Sequence, residues 1–201
     1  VEHPVSELIT GLDLVKEQIK VARNEKLSFT QEDLKINGHA LEVRVCAEDP
    51  ANNFLPDIGK LVVYKTPSGP GVRVDDSYEE GMDIPIYYDP MISKLIVHGK
   101  DRTEAIEKMI RAIDDYKIIG VETTLEFCKF VLKHEAFTSG KFDTGFIGKY
   151  FKPESLNVKN EEYAELAAIA GSIIFSNSKE KGTVLTESTV KKGKWKTNRL
   201  N

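Results

Sequence analysis

The chain has 201 residues, which is enough to bury one hydrophobic core with an appendage, or two small domains. Its net charge of -4 provides no basic excess of the kind used to bind nucleic acid or a membrane surface, so neither partner is expected. An apolar run near the end, 166–175, is far shorter than the roughly 20 residues that span a bilayer. Two cysteines, Cys46 and Cys128, are too few for a disulfide framework or a zinc site and favour a cytoplasmic setting.

The first predicted elements are helical. Apolar residues recur at three- and four-residue spacing over 5–24, and Gly11 interrupts them, which predicts two short helices. Pro4 suits a helix start because its missing N–H would have no partner there. The sequence begins at Val1, without methionine or a signal-like segment, so we expect a piece of a longer protein whose remainder lies upstream.

A strand with one polar face is predicted next, over 39–47. The residues alternate strictly, so that an apolar set faces one way and Glu42, Arg44 and Cys46 face the other. Further short strands are predicted over 59–66, 71–76, 84–88 and 94–98. Short strands at this spacing favour an antiparallel sheet.

The rest of the pattern is mainly helical. Asp101 and Glu104 have the spacing of a capping box at the start of a helix. The remaining predicted elements are a strand at 118–119, helices over 124–134, 143–151 and 164–175, and a flexible tail over 176–201. The predicted fold class is therefore α+β, with an antiparallel sheet packed against helices.

No self-sufficient catalytic motif is present. The sequence lacks a GxxxxGK phosphate loop, a Ser–His–Asp pattern and an HExxH helix. What remains is Glu42 beside Arg44 on one strand face, and Glu2 next to His3 at the start. From the residues alone, Glu42 and Arg44 are more often a same-face ion pair than a site, and His3 is more often a polar residue at a helix start.

Several longer motifs in a fixed order resemble biotin carboxylases. Val-Glu-His-Pro-Val-Ser-Glu at 1–7, followed by 9–15, is similar to the segment that ends their ATP-grasp part. Gly-His-Ala-Leu-Glu-Val-Arg at 38–44 resembles the first strand of their C-terminal domain. The likeness continues to about residue 153 through the motifs at 47–50, 54–56, 59–61, 70–75, 87–91, 94–96 and 120–124.

The resemblance implies a division of the chain. Residues 1–37 would be the remnant of an ATP-grasp domain with a connector, and 38–152 the biotin carboxylase C-terminal domain. Residues 153–201 would be a helical extension and a flexible tail, similar to the region after this domain in propionyl-CoA and related acyl-CoA carboxylases.

The resemblance also implies roles, because the family carboxylates biotin with ATP and bicarbonate. Glu2 matches the general base that takes a proton from bicarbonate, and Val1 matches a position whose main chain contacts bicarbonate. Arg44 matches the arginine that stabilises the enolate-like oxygen of biotin. A permanently charged, planar guanidinium suits an oxygen that gains charge in the transition state.

Three further positions follow from the same likeness. Asp89 is expected to line the biotin and bicarbonate site or orient Arg44, and a turn-capping aspartate is the alternative. Arg73 falls at the family's dimer contact, unless it is a solvated edge-strand arginine. Thr144 lies near the adenine edge of the nucleotide site.

The cofactors and partners are implied in the same way. ATP and Mg²⁺ (or Mn²⁺) would be bound mainly by residues upstream of Val1, and no metal ligand is assigned here. The Met-Lys-Met biotinylation signature is missing, so biotin is expected on a separate carrier protein, unless the sequence is a piece that stops before a biotin-bearing domain. The expected partners are a second copy of the chain, a biotin carboxyl carrier protein and a carboxyltransferase subunit.

Two hypotheses stand at this point. The first is an enzyme fragment, the C-terminal part of the biotin carboxylase of an acetyl-CoA, propionyl-CoA or related acyl-CoA carboxylase, or of a pyruvate carboxylase; alone, it should not turn over. The second is a non-catalytic dimerisation and partner-binding module of such a complex.

Overall fold

A computed structural model describes residues 3–85, 87–156 and 161–179, with side chains from 165 to 176 in the last of these segments. The chain divides into two units, residues 1–157 and 158–201. The helices are α1 Pro4–Thr10, α2 Leu14–Ala22, α3 Arg102–Asp115, α4 Leu125–Lys133, α5 Glu135–Thr138, α6 Phe146–Tyr150 and α7 Glu161–Lys179. The strands are β1 His39–Cys46, β2 Glu48–Asp49, β3 Leu55–Pro56, β4 Val63–Lys65, β5 Val72–Asp76, β6 Met91–Gly99 and β7 Lys117–Ile119.

The two N-terminal helices meet at Gly11, as the sequence predicts. Gly11 ends α1 in the left-handed conformation, with φ of 74°, where a residue without Cβ is favoured. Asp13 then starts α2 by accepting a hydrogen bond from the Lys16 amide at 2.9 Å. The Glu7 side chain joins the two helices because its Oε1 accepts from the Leu14 amide.

The larger sheet is antiparallel and has the order β1-β6-β5. The register of β1 on β6 runs from His39 opposite Gly99 to Val45 opposite Ser93, and it shifts between Val45 and Cys46. β1 and β5 therefore lie at the two edges of this sheet. The predicted antiparallel α+β architecture is confirmed.

The two faces of this sheet have different surroundings. On one face, side chains of β1 and β6 such as Val45 and Leu95 are fully buried against Met109 of α3. On the opposite face, α1 packs against β1 and β6, and Ile96 is fully buried there. Burial of one face fixes the direction of every side chain on the strand, since successive residues alternate.

The predicted strand over 84–88 is wrong for the residues that the structure describes there. Ile84 is buried and its amide donates to the Gly59 carbonyl, but the described residues of this segment form no strand, and the neighbouring bridge between Lys60 and Asp83 is isolated. Pro85 follows directly and cannot donate to a strand ladder, which explains why pairing stops. The predicted strand over 59–66 is shorter than expected, since β4 covers Val63–Lys65 and pairs with β7.

The C-terminal unit contains a longer helix than expected. α7 extends from Glu161 to Lys179, beyond both ends of the predicted 164–175. Residues 180–201 of the predicted tail lie outside the described residues. None of the helices in the described part of the chain combines the length and apolar character needed to cross a membrane.

A chain of hydroxyls joins the larger sheet to the β4–β7 pair, and two of its three residues, Ser93 and Tyr116, are buried. Tyr116 Oη lies 2.8 Å from Ser93 Oγ and 2.7 Å from Tyr64 Oη. We expect Tyr116→Phe to lower the free energy of unfolding by about 1–3 kcal/mol, because the buried Ser93 hydroxyl loses this partner. Urea denaturation would measure the loss. Tyr78→Phe is the control, and an equal loss in both variants would contradict the role of the network.

Candidate active site

Arg44 projects from the polar face of β1, as the alternation predicts. Its Nε lies 3.8 Å from Glu42 Oε1, and the side chains of Arg44 and Glu42 are 57% and 15% exposed. The same-face ion pair that the residues alone suggest therefore exists. In this ion pair, the guanidinium of Arg44 is accessible to solutes and the carboxylate of Glu42 is mostly buried.

Further charges on the same face come from the two other strands and from α1. Lys94 of β6 lies opposite Arg44, and Asp75 of β5 lies opposite Lys94. Arg73 binds Asp75 with two hydrogen bonds of 2.7 Å, and its Nη1 lies 3.9 Å from Glu7 Oε2. These contacts connect β5 to α1 across the face that carries Arg44.

A cavity of about 360 Å³ opens beside β1 at its free edge. One wall carries Glu42, Arg44, Cys46 and Glu48, and the other is mainly apolar, with contributions from α4 and Phe54. Burial, and secondarily the charge of Asp89, raises the pKa of Glu48. Burial also raises the pKa of the Cys46 thiol to about 11, while Arg44 opposes this shift. The walls thus combine a fixed cation with groups whose ionisation is disfavoured.

Asp89 lies in the turn that leads into β6. Its Oδ1 accepts a hydrogen bond of 2.9 Å from the Met91 amide, and the residue is exposed. This is the arrangement of the turn-capping alternative. The carboxylate nevertheless lies close enough to the end of β1 to contribute to the raised pKa values of Cys46 and Glu48.

The other predicted site residues are placed differently. Arg73 lies on the edge strand β5 and is engaged by Asp75 and Glu7. Thr144 is exposed in the turn before α6 and lines none of the cavities described for this chain. Val1 and Glu2 lie outside the described residues.

Two residues at this site, Glu48 and Thr124, are not predicted by the sequence pattern. Glu48 follows the predicted strand in a segment with the composition of a loop, although it lies directly after the last alternating residue, Ala47. Thr124 is expected only as a helix start, but its hydroxyl lies on β1 next to Arg44. A Thr directly before a helix predicts a cap, so the sequence contains no signal for this contact.

Comparison with known proteins identifies the family of this domain. The family model of the biotin carboxylase C-terminal domain matches residues 42–149, which is more than half of the chain and includes Arg44. The chain belongs to the biotin carboxylase C-terminal domain family. A second model, the ATP-binding domain of the carbamoyl-phosphate synthase L chain, matches residues 1–30.

Individual relatives agree with the family. One of the pyruvate carboxylase subunits of Methanothermobacter thermautotrophicus is 53% identical over 150 residues, covering 75% of this chain and 30% of that protein. The human mitochondrial propionyl-CoA carboxylase alpha chain is 47% identical over 178 residues, covering 86% of this chain and 24% of that protein. The biotin carboxylase domain dimer of Hydrogenobacter thermophilus 2-oxoglutarate carboxylase, solved with MgADP, ADP and bicarbonate, superimposes with a TM-score of 0.74 at 40% identity. That alignment covers 80% of this chain and 35% of the solved one, so the chain spans about a third or less of these relatives.

The described part of this biotin carboxylase domain offers no cluster of three protein ligands for Mg²⁺. No three His, Cys, Asp or Glu side chains among the described residues are placed to hold a metal ion. Mg²⁺ prefers several oxygen ligands in octahedral geometry, usually with carboxylates and phosphates among them. No step that involves the metal is therefore assigned to these residues.

The cysteines of this domain are expected to react slowly with alkylating reagents. The thiolate is the reactive form, and burial raises the pKa of Cys46 to about 11 and that of Cys128 to about 12. At pH 8 the rate for Cys46 should be roughly 200-fold below that of a thiol with the usual pKa of about 8.5. Because a raised thiol pKa keeps the neutral form up to higher pH, the rate should rise about tenfold per pH unit until pH is near 11.

Iodoacetamide labelling followed by mass spectrometry would measure these rates, with Cys128→Ser isolating the signal of Cys46. A rate at pH 8 close to that of a cysteine peptide would contradict the raised pKa.

Proposed function

We propose that the chain forms the C-terminal part of a biotin carboxylase, which carboxylates biotin on a carrier protein with ATP and bicarbonate. The observation that supports this most directly is Arg44, an accessible guanidinium on a strand whose opposite face is fully packed. In this proposal residues 1–37 complete an ATP-grasp domain, residues 38–152 form the C-terminal domain, and residues 153–201 form an extension toward partner proteins. The activity is that of the complete protein.

Arg44 would act on the biotin side of the reaction. Biotin must lose the proton on N1 before it accepts carbon dioxide, and its ureido oxygen then gains negative charge. A guanidinium remains charged at all relevant pH values and presents several N–H donors in one plane. Glu42 Oε1 lies 3.8 Å from Arg44 Nε, so the guanidinium has a carboxylate neighbour before biotin binds. Donors that are oriented in advance stabilise developing charge without the cost of reorganisation.

The remaining assignments belong to the same proposal. Glu2 would take a proton from bicarbonate, since an ionised carboxylate can act as a general base. The main chain of Val1 would contact bicarbonate. Asp89 would shape the biotin end of the site through the turn that leads into β6. Arg73 would lie at a dimer contact and Thr144 near the adenine of ATP, with Mg²⁺ held by other parts of the protein.

The length of the alignments supports an acyl-CoA carboxylase of the propionyl-CoA carboxylase type. The human propionyl-CoA carboxylase alpha chain aligns over 178 residues and the archaeal pyruvate carboxylase subunit over 150. The longer alignment covers 86% of the chain, which is more than residues 1–152 provide, so it must include the first part of the 153–201 extension. The expected partners are then a biotin carboxyl carrier protein and a carboxyltransferase subunit. The 53% identity to the archaeal protein makes pyruvate carboxylase the second candidate.

The proposal is tested with the complete protein and free biotin. We expect release of ADP to be stimulated by biotin and to require bicarbonate, as measured by a coupled spectrophotometric assay. Acetate in place of bicarbonate is the control for non-specific anion effects. Release of ADP that biotin does not change, at biotin concentrations up to its solubility, would contradict the proposed function.

A further inference from the structure

One residue, Thr124, makes hydrogen bonds to the main chain of β1 at Arg44 and Cys46, on the edge of the strand that is not paired with β6. Thr124 Oγ1 donates to the Arg44 carbonyl at 3.0 Å and accepts from the Cys46 amide at 3.1 Å. The Thr124 amide donates to the Cys46 carbonyl, also at 3.1 Å. Three main-chain groups of an edge strand, which would otherwise need a neighbouring strand or water, are satisfied by this buried residue.

Thr124 occupies the N-cap position of α4 but does not cap that helix. A threonine at this position normally accepts a hydrogen bond from an amide in the first turn of its own helix. Here no such bond is made, and the hydroxyl binds instead to a strand about 80 residues earlier in the chain. The local contact that the sequence favours has thus been replaced by a contact to the strand that carries Arg44.

We call these three hydrogen bonds of Thr124 to Arg44 and Cys46 the clasp. The clasp lies where the pairing of β1 with β6, on the other edge of the strand, is irregular. The register between β1 and β6 shifts between Val45 and Cys46, the residues directly after Arg44. Such irregularities disrupt the ladder locally and bend a strand, and they change the direction in which nearby side chains point. A second set of hydrogen bonds from the outer edge therefore determines how the backbone of Arg44 is oriented.

We propose that Thr124 is a positioning residue for Arg44, an inference that rests on the proposed function. Thr124 Oγ1 holds the carbonyl of Arg44 and the amide of Cys46 together, and this fixes the base of the arginine side chain. The guanidinium is then directed toward biotin, while the Thr124 hydroxyl itself is occupied by the main chain of β1. A displacement of this kind lowers the amount of carboxybiotin formed for each ATP cleaved.

Two substitutions in the complete protein separate the hydroxyl from the shape of the side chain. Thr124→Val keeps the shape and loses the hydroxyl, whereas Thr124→Ser keeps the hydroxyl. The readout is the ratio of carboxybiotin formed to ATP cleaved, because this ratio does not depend on how much of the enzyme is folded. We expect Thr124→Val to lower the ratio about fivefold or more, with KM for ATP within about twofold of the wild type, and Thr124→Ser to restore most of it. Thr123→Val is the matched control on the same turn.

The result that overturns the proposal is a wild-type ratio in Thr124→Val, or an equal loss in the Val and Ser variants. Hydrogen exchange of the Cys46 amide gives an independent test, and we expect it to be faster in Thr124→Val than in Thr124→Ser. Equal exchange would show that the hydroxyl does not hold the strand. If the wild type forms no carboxybiotin, the proposed function fails, whereas the exchange measurement still reports on the clasp.

Discussion

Replacement of Arg44 by alanine should lower the rate of carboxylation of free biotin by the complete protein at least about tenfold. The loss of one preorganised donor to a developing oxyanion typically costs about 3 kcal/mol of barrier, which is more than a factor of ten. Glu42 Oε1 lies 3.8 Å from Arg44 Nε, so the alanine variant would leave this carboxyl group near the biotin oxygen without the guanidinium. The effect should appear in kcat, because the oxyanion forms only after biotin binds.

Arg44→Lys separates charge from geometry. Lysine keeps the positive charge but loses the planar set of donors, so we expect a rate between those of the wild type and the alanine variant. Arg23→Ala, at an exposed arginine after α2, is the control for loss of a cation. ATP-dependent carboxylation at the wild-type rate in Arg44→Ala would remove the arginine from the mechanism.

The second large effect is expected at Gly120, where β7 ends. Gly120 has φ of 119°, and a Cβ added there would overlap the backbone carbonyl oxygen of Lys60. Because this neighbour is backbone and not the end of a flexible side chain, the chain itself must move. We expect Gly120→Ala to lower the free energy of unfolding by about 3 kcal/mol, from an unfavourable φ together with overpacking.

Gly81→Ala is the matched control for Gly120→Ala. Gly81 also has a positive φ, of 91°, but a Cβ there would meet nothing within 4 Å. Its substitution should cost about 1–2 kcal/mol, the conformational part alone. Chemical denaturation of both variants isolates the steric part as their difference, and equal losses would mean that the Lys60 contact is unimportant.

Features that depend on local patterning could be predicted from the sequence. The alternation along 39–47 places Arg44 and Glu42 on the polar face because a half-buried strand has a period of two. Gly11 marks the division between α1 and α2 because the chain needs a left-handed residue there.

Features that depend on partners distant in sequence could not be predicted. The apolar residues of 84–88 resemble a strand, but in the described residues the pairing stops at Ile84, because Pro85 follows and has no amide to donate. Arg73 shows the same difficulty, since its contact with Glu7 requires α1 to pack on the sheet. The position of Thr124 on β1 follows only from the folded chain, in which residues about 80 apart meet.

The most direct test of the account is the coupling between ATP cleavage and biotin carboxylation in Arg44→Ala. The complete protein would be supplied with ATP, ¹⁴C-labelled bicarbonate and free biotin, and carboxybiotin and ADP would be measured in the same samples. If Arg44 acts on biotin, the amount of carboxybiotin formed per ADP should fall at least about tenfold in the variant, while ADP formation continues. An unchanged ratio, with both products reduced equally or not at all, would contradict the assignment of this domain's polar face to biotin.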